Sequence, residues 1–594
     1  MNPTEFYSER IEYFSQQVNR LKKLENRLAI SRLITFISAF LFLFALITFS
    51  VSLAVMTSML LFIAFGFLVK RHIRIEKERE FNQYLETINR RELECIHGNF
   101  SVFPDGNQYA DLTHPYTYDL DIFGKSSLFQ FVNRTFSKPA SDLMALWLKA
   151  PAEQQLIAVR QKAVEELKPL AHWRQQLIAL GYSNPAGRDD PQNILEWLQS
   201  SDLFANPVRL RITAYLLSLF TLIVLLLVIF GAPLQILVPV FGINFLYYFF
   251  KAKRITGLHN RVSRSSSMME GYGEAIRLIE DQPFNSDGLV NLHQLFFQNQ
   301  KASQAVSGLR KLTGRLDARM NILVAIPLNL FFFWDIHCCL ALEKWKRDHA
   351  TRVSSWFDAM AEFEVLSSFA NTAFNNPGWT MPLIHNDYFV LKAKEAGHPL
   401  IAAHRRITNS FEITGSGRSV IITGSNMSGK STFLRTCGIN GVLALAGSVV
   451  CATKFEISYV HVLSSMRISD SLEDNTSSFY AELKKLAYII RYSETNQRVL
   501  LLLDEILRGT NSNDRYIGSV ALIKQLVQYG TASLVATHDL RLAEMAGELP
   551  GKIDNYHFDV KIEGEELYFD YLLNPGICTS LNASLLMKKM GIKV

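Results

Sequence analysis

Six cysteines in 594 residues, none of them in a C-x-x-C pair, offer neither a disulfide framework nor a zinc pattern, which suits a reducing compartment. Two long runs, Leu33–Val69 and Ile212–Phe250, contain no Asp, Glu, Lys, Arg or His at all. With that absence, nothing in them marks a polar substrate path. It also makes each too long for one membrane span and right for two of about 18 residues. The first starts too late and runs too long for a signal peptide. Turns are expected near Ser50–Ser52 and at Gly231-Ala232-Pro233. The hairpin tips are uncharged, whereas Lys22, Lys23, Arg27, Arg32, Lys70, Arg71 and Arg74 flank the first run. Arg209, Arg211, Lys251, Lys253 and Arg254 flank the second. By the positive-inside rule both hairpins enter and leave on the cytoplasmic side, which places the termini and all other residues there. A net charge of +6 fits nucleic acid, an anionic membrane surface, or simple loop bias beside spans.

Around these runs the chain divides into an amphipathic N-terminal helix (1–32), hairpin one (33–69) and a juxtamembrane helix and linker (70–109). A helical domain follows in two parts, 110–211 and 251–378, interrupted by hairpin two (212–250). The last unit is 379–594. Tyr7, Ile11, Phe14, Val18, Leu21 and Leu28 form a heptad-like seam. Its partner is the stretch 70–95 with Ile73, Phe81, Leu85 and Ile88, or else both are solvated juxtamembrane helices. Leu143, Leu146, Leu148 and Leu156 read as core. So does Ile322–Trp334, with Ile322, Val324 and Leu328, which is too short to span. Residues 380–594 alternate strand and helix signals, the pattern of an α/β domain with a largely parallel sheet. The fold class expected is multidomain α plus α/β: two transmembrane hairpins, an all-α body and a C-terminal P-loop NTPase domain.

That last domain carries the chemistry. Val420–Thr423 reads as a buried strand, and Gly424-Ser425-Asn426-Met427-Ser428-Gly429-Lys430-Ser431-Thr432 fits G-x-x-x-x-G-K-[ST]. Loop N–H groups and a helix N-terminus would cradle the phosphates of ATP. Lys430 would reach the β/γ-phosphates, and Ser431 would ligate Mg²⁺. The apolar run Val499–Leu503 delivers Asp504 and Glu505 at a strand end, the Walker B arrangement. Asp504 would hold Mg²⁺ through water, and Glu505 would orient or deprotonate the attacking water. Ala532–Ala536 ends in Thr537-His538-Asp539, where His538 suits a γ-phosphate sensor. The polar turn Leu507–Asn511 lies between these and is placed to meet a second subunit.

These motifs together resemble the MutS family of DNA mismatch-repair ATPases. The loop G-S-N-M-S-G-K-S-T is similar to the family's G-P-N-M-x-G-K-S-T, with Asn426 and Met427 the telling residues. A-G-S-V-V-C-A (446–452), D-E-I-L-R-G-T-N, T-H-D and G-H-P-L-I (397–401) resemble further family segments. S-S-F-Y-A-E-L (477–483) resembles S-T-F-M-x-E, whose serine reaches the γ-phosphate of the opposite subunit. The resemblance carries that role onto Ser477 and implies a homodimer. It also implies adenine contacts at Arg406 and Tyr571. D-L-D-I-F-G-K-S-S-L-F-Q-F-V-N-R-T (119–135) and R-Q-K-A-V-E-E-L (160–167) resemble the start of the family's helical lever, and F-F-F-W-D (331–335) its end. Two departures matter. Residues 1–110 hold a hairpin and no F-x-E wedge, and the second hairpin stands where a DNA-gripping clamp would extend. Mismatch reading is therefore not expected, although DNA and an unidentified membrane protein both stay open as partners. An ABC transporter is disfavoured, because N-T-S-S-F-Y-A-E occupies the place of L-S-G-G-Q.

Overall fold

The computed structural model describes residues 2–184, 191–298, 300–425, 427–467, 478–496, 498–563 and 566–578. Helix α1 (Pro3–Leu46) begins at an Asn2 cap and runs through the proposed boundary at residue 32 without a break. No Gly or Pro separates the amphipathic seam from the apolar run, so nothing stops the helix. Ser50 caps α2 (Val51–Ile96), its Oγ accepting from Leu53 N. The two long helices pair with each other inside one chain, and Glu25 meets Arg79 at 2.6 Å.

The lower end of this hairpin is seated on the helical body. Phe14, Leu85 and Ile88 pack with Ile178 and Ala179, and Phe6 and Tyr7 pack with Ala171. A buried ion pair, Arg134 to Glu92 at 2.5 Å, ties α2 to the body, and Asn375 adds a hydrogen bond to the same carboxylate. The seam is thus an intrachain one. The body itself contains α3 (Lys138–Lys149), α4 (Gln154–Leu167) and α5 (Ala171–Ser183). Leu148 is in its core, whereas Leu146 faces outward. The second hairpin is α6 (Pro207–Ile229) and α7 (Leu237–Glu280), with Gly231 at φ +105° in the turn. Among the described residues four helices, two in each hairpin, are long and apolar enough to cross a membrane, and little of their apolar surface is buried within the protein.

Helix α8 (Ala302–Asp317) leads to α9 (Ile322–Phe332), and α10 (Trp334–Asn375) forms the spine of the body. The expectation that Ile322–Trp334 is core is overturned. Ile322, Leu323, Val324, Ile326 and Phe332 are exposed, and the segment turns by 83° into α10 at Phe333. Composition registers only that a segment avoids water, not whether protein or another apolar medium covers it.

The C-terminal unit has two sheets. The smaller is mixed, in the order β1-β5-β2-β3, from β1 (Leu383–His385), β2 (Val390–Ala396), β3 (Asn409–Thr414) and β5 (Lys454–Ser458). The larger has the order β10-β9-β4-β8-β7-β6. Its members are β4 (Ser419–Gly424), β6 (His461–Ser465), β7 (Val499–Asp504), β8 (Ala532–Thr537), β9 (Ile553–Glu563) and β10 (Glu566–Pro575). Among the described strands of this sheet only β10 runs antiparallel. Every residue of β4, β7 and β8 is buried, as expected of central parallel strands covered on both faces. Helices α11 (Lys430–Ala446), α12 (Ser478–Thr495) and α13 (Ser512–Gln528) pack in the same unit.

Candidate functional site

Because β4, β7 and β8 are parallel and in register, their carboxyl ends open at one edge, where α/β sheets bind ligands. Thr423 pairs with Thr537, and Asp504 with Ala536. The loop after β4, the acids after β7 and His538 after β8 therefore meet. Gly429 (φ +106°) opens α11, and a Cβ there would stand 3.1 Å from the Tyr571 ring. Only glycine suits that backbone and that approach.

Lys430 is buried and folded back, its Nζ donating to Gly424 O at 2.9 Å and Ser425 O at 2.8 Å. Burial lowers its pKa, while Glu505 and Asp504 pull the other way. Asp504 has the opposite problem. Burial raises its pKa, and a hydrogen bond from Ser431 is the largest effect opposing that. Asp504 Oδ1 is buried without a partner, and so are the Ser425 and Ser428 hydroxyls. An orphaned carboxylate oxygen beside a serine hydroxyl fits a hard divalent cation, and the orphaned hydroxyls suit phosphate oxygens. The residues present thus fit Mg²⁺ and a polyphosphate.

Glu505 sits at φ +48°, fixed by its N–H donating to Ala536 O at 2.9 Å. Its carboxylate lies 3.7 Å from His538 Nδ1 and 3.3 Å from Arg508 Nε. The turn 507–511 thus contributes Arg508 to the acids rather than presenting every polar group outward. A cleft of ≈ 400 Å³ is lined by Ser428–Phe433, Met427, Glu505 and Tyr571. His398 also lines it, held neutral by burial and by Arg435, with its pKa pushed down to about 4.

Arg406 is not among these residues. Its guanidinium donates to Ile401 O at 2.6 and 3.0 Å and lies over Trp379, in a neighbouring cavity. Its neighbours Arg405 and Ile407 line the cleft instead. Arg406 thus donates to a carbonyl of its own loop rather than lining the cleft. Ser477 and Asn426 lie outside the described residues. Glu482 is a contact the motif reading left unassigned. Its Oε1 accepts from Leu507 N at 2.5 Å, linking α12 to the turn after the acids. The glutamate is already visible in S-S-F-Y-A-E-L, but its partner is not.

The body reaches this site through two aspartates of D-L-D-I-F. Asp119, fully buried, accepts from Ser464 Oγ (2.7 Å), Met466 N (3.2 Å), Arg467 N (3.1 Å) and Lys485 Nζ (2.6 Å). Asp121 meets Arg467 at 2.6 Å and Arg435 of α11 at 3.3 Å. The helix behind the phosphate loop, the end of β6 and α12 are all tied to the body through these two side chains.

Residues 420–590 match the family model for MutS domain V. The chain is 30% identical to the DNA mismatch repair protein MutS of Persephonella marina over 246 residues, 41% of this chain and 28% of that protein. It is 34% identical to the MutS of Symbiobacterium thermophilum over 226 residues, 37% and 25% of the two chains. MutS protein homolog 4 of Homo sapiens is 30% identical over 261 residues, 42% and 27%. The match spans about a quarter of the length of these curated relatives. Through residues 420–590 the chain is similar to domain V of the MutS family.

Proposed function

We propose that this protein is a membrane-anchored ATPase that hydrolyses Mg²⁺-bound ATP at a site completed by a second copy of the chain. The observation carrying this reading is the convergence of Lys430, Ser431, Asp504, Glu505 and His538 at one sheet edge, with Asp504 Oδ1 left unpartnered. In that reading Lys430 leaves the Gly424 and Ser425 carbonyls for the β/γ-phosphates. Ser431 and Asp504 hold the cation, which supplies charge neutralisation at the phosphates. Glu505, aimed by its strained backbone and by Ala536, orients the attacking water and takes its proton. His538 faces the γ-phosphate. Ser477 of the partner subunit closes the site, and Tyr571 stacks on the base.

Asp119 and Asp121 connect the site to the body, so nucleotide state and lever position are linked. The levers end in two hairpins whose uncharged tips and basic flanks support insertion in the cytoplasmic membrane, with the ATPase domain on the cytoplasmic side. The action best supported is a DNA transaction at the membrane of the repair or recombination kind, since mismatch repair is what the relatives' names describe and the chain is basic overall. Mismatch reading itself is not part of the proposal. The competing reading, remodelling of a membrane protein without DNA, is favoured by the hairpin occupying the position of a DNA clamp.

The test is the ATPase rate of the detergent-purified protein with and without duplex and branched DNA, at low and moderate salt. Stimulation that falls with salt supports the DNA reading, because phosphate contacts release counterions. Hydrolysis indifferent to every DNA moves the assignment to a membrane partner.

A further inference from the structure

We infer that α9 (Ile322–Phe332) is a fifth membrane element: a short helix embedded in the cytoplasmic leaflet beside the second hairpin, contacting lipid acyl chains. This rests on the membrane reading of that hairpin and extends it to a segment too short to span.

The helix is inside-out for water. Its buried residue is the polar Asn329, while Leu323 is 82% exposed and Ile322, Ile326 and Phe332 are exposed with it. Asn329 is satisfied internally. Its Nδ2 donates to Ala325 O at 3.0 Å, and its Oδ1 accepts from Asp335 N at 3.0 Å. Asn321 caps the start, accepting from Leu323 N at 3.1 Å. A short helix whose asparagine side chains are satisfied and whose exterior is apolar suits an acyl environment better than water.

Its position supplies the occupant. Asn244 of α7 donates to Leu330 O at 2.7 Å, and Phe331 packs on Phe241 with ring centroids 5.1 Å apart. Those α7 residues lie seven and ten positions inside the basic boundary at Lys251, or about 10–15 Å along a helix. The other end stays at that boundary, where Arg319 reaches Thr256 Oγ1 at 3.0 Å and Asp335 at 3.3 Å. Eleven residues make a helix of about 16 Å, half the hydrocarbon thickness. The apolar exterior of α9 is therefore continuous with the outward faces of α6 and α7, and the same lipid covers both.

The experiment uses the full chain in lipid vesicles, with an environment-sensitive fluorophore on Leu323→Cys and, independently, on Ile326→Cys. The six native cysteines are buried, and labelled wild type gives the background. Leu219→Cys on α6 reports the hairpin, and Lys454→Cys reports the water-exposed ATPase domain. Acyl-chain nitroxide lipids are the quencher. Quenching at 323 and 326 comparable with 219, and several-fold above 454, is the expected result. Quenching at 219 but not at 323 or 326 overturns the inference while leaving the hairpin in the membrane. That outcome would put water or a second protein chain on α9. Quenching at none of these positions sinks the membrane reading and the inference with it.

Discussion

Asp119 offers the sharpest perturbation, because one side chain accepts four of the hydrogen bonds between the body and the C-terminal unit. Replacing it with Ala removes four hydrogen bonds at once: from a hydroxyl, two backbone amides and a lysine. Breaking a buried pair by removing one partner costs about 3–5 kcal/mol. The Lys485 side chain keeps 26% exposure, so water recovers part of its solvation and the lower end applies, about 3 kcal/mol. If that energy holds the end of β6 against the body, local opening at Met466 and Arg467 becomes about a hundredfold more frequent. Amide hydrogen exchange of the detergent-purified protein reads this directly. Peptides covering 461–467 should exchange about a hundredfold faster in Asp119→Ala, with β4 amides unchanged. Asn at this position keeps the shape and one acceptor, so a smaller rise is expected. Exchange at 461–467 indistinguishable from wild type would refute the junction as described.

Two further outcomes follow from the cleft and the core. Tyr571→Ala should raise the KM for ATP roughly tenfold through loss of stacking, and Arg406→Met should raise it much less, in steady-state hydrolysis at saturating Mg²⁺; the reverse order would restore Arg406 as the base contact. Glu364, fully buried and accepting from Phe136 N, Ser137 N and Ser137 Oγ, has its pKa raised by burial from 4.5 to about 7. A raised carboxyl pKa means its contribution is whole below about pH 4.5 and is lost as pH climbs through about 7, on the order of 3 kcal/mol. The urea midpoint of wild type should therefore fall between pH 5 and 8 more than that of Glu364→Gln, and parallel curves would contradict this.

The strands that build the site were legible because each is a short, largely apolar run with its functional residue at one end. Val420–Lys430, Val499–Glu505 and Ala532–His538 needed only local pattern to be placed, and the parallel register then brought them together. Arg406 turns away from the cleft in an irregular loop, where spacing does not encode side-chain direction. Its donors went to Pro399 and Ile401 carbonyls. Asp119 and Asp121 looked like a family signature, yet their partners lie more than three hundred residues away and no local pattern names them. Ile322–Phe332 was read as core because an apolar helix has the same composition in protein and in lipid. Glu482 was in view without a role, since the amide it caps belongs to another turn.

The central claim, that the cluster around Asp504 hydrolyses ATP, is tested most directly by Glu505→Gln in the detergent-purified protein. Glu505 is within 3.7 Å of His538 and borders the cleft without holding the phosphate loop. Loss of general-base assistance should lower kcat by about 10²–10⁴-fold. Mg²⁺-dependent binding of ATP, measured by equilibrium titration of the same variant, should persist. A variant that hydrolyses at the wild-type rate, or a wild type that binds no ATP in the presence of Mg²⁺, would contradict the account.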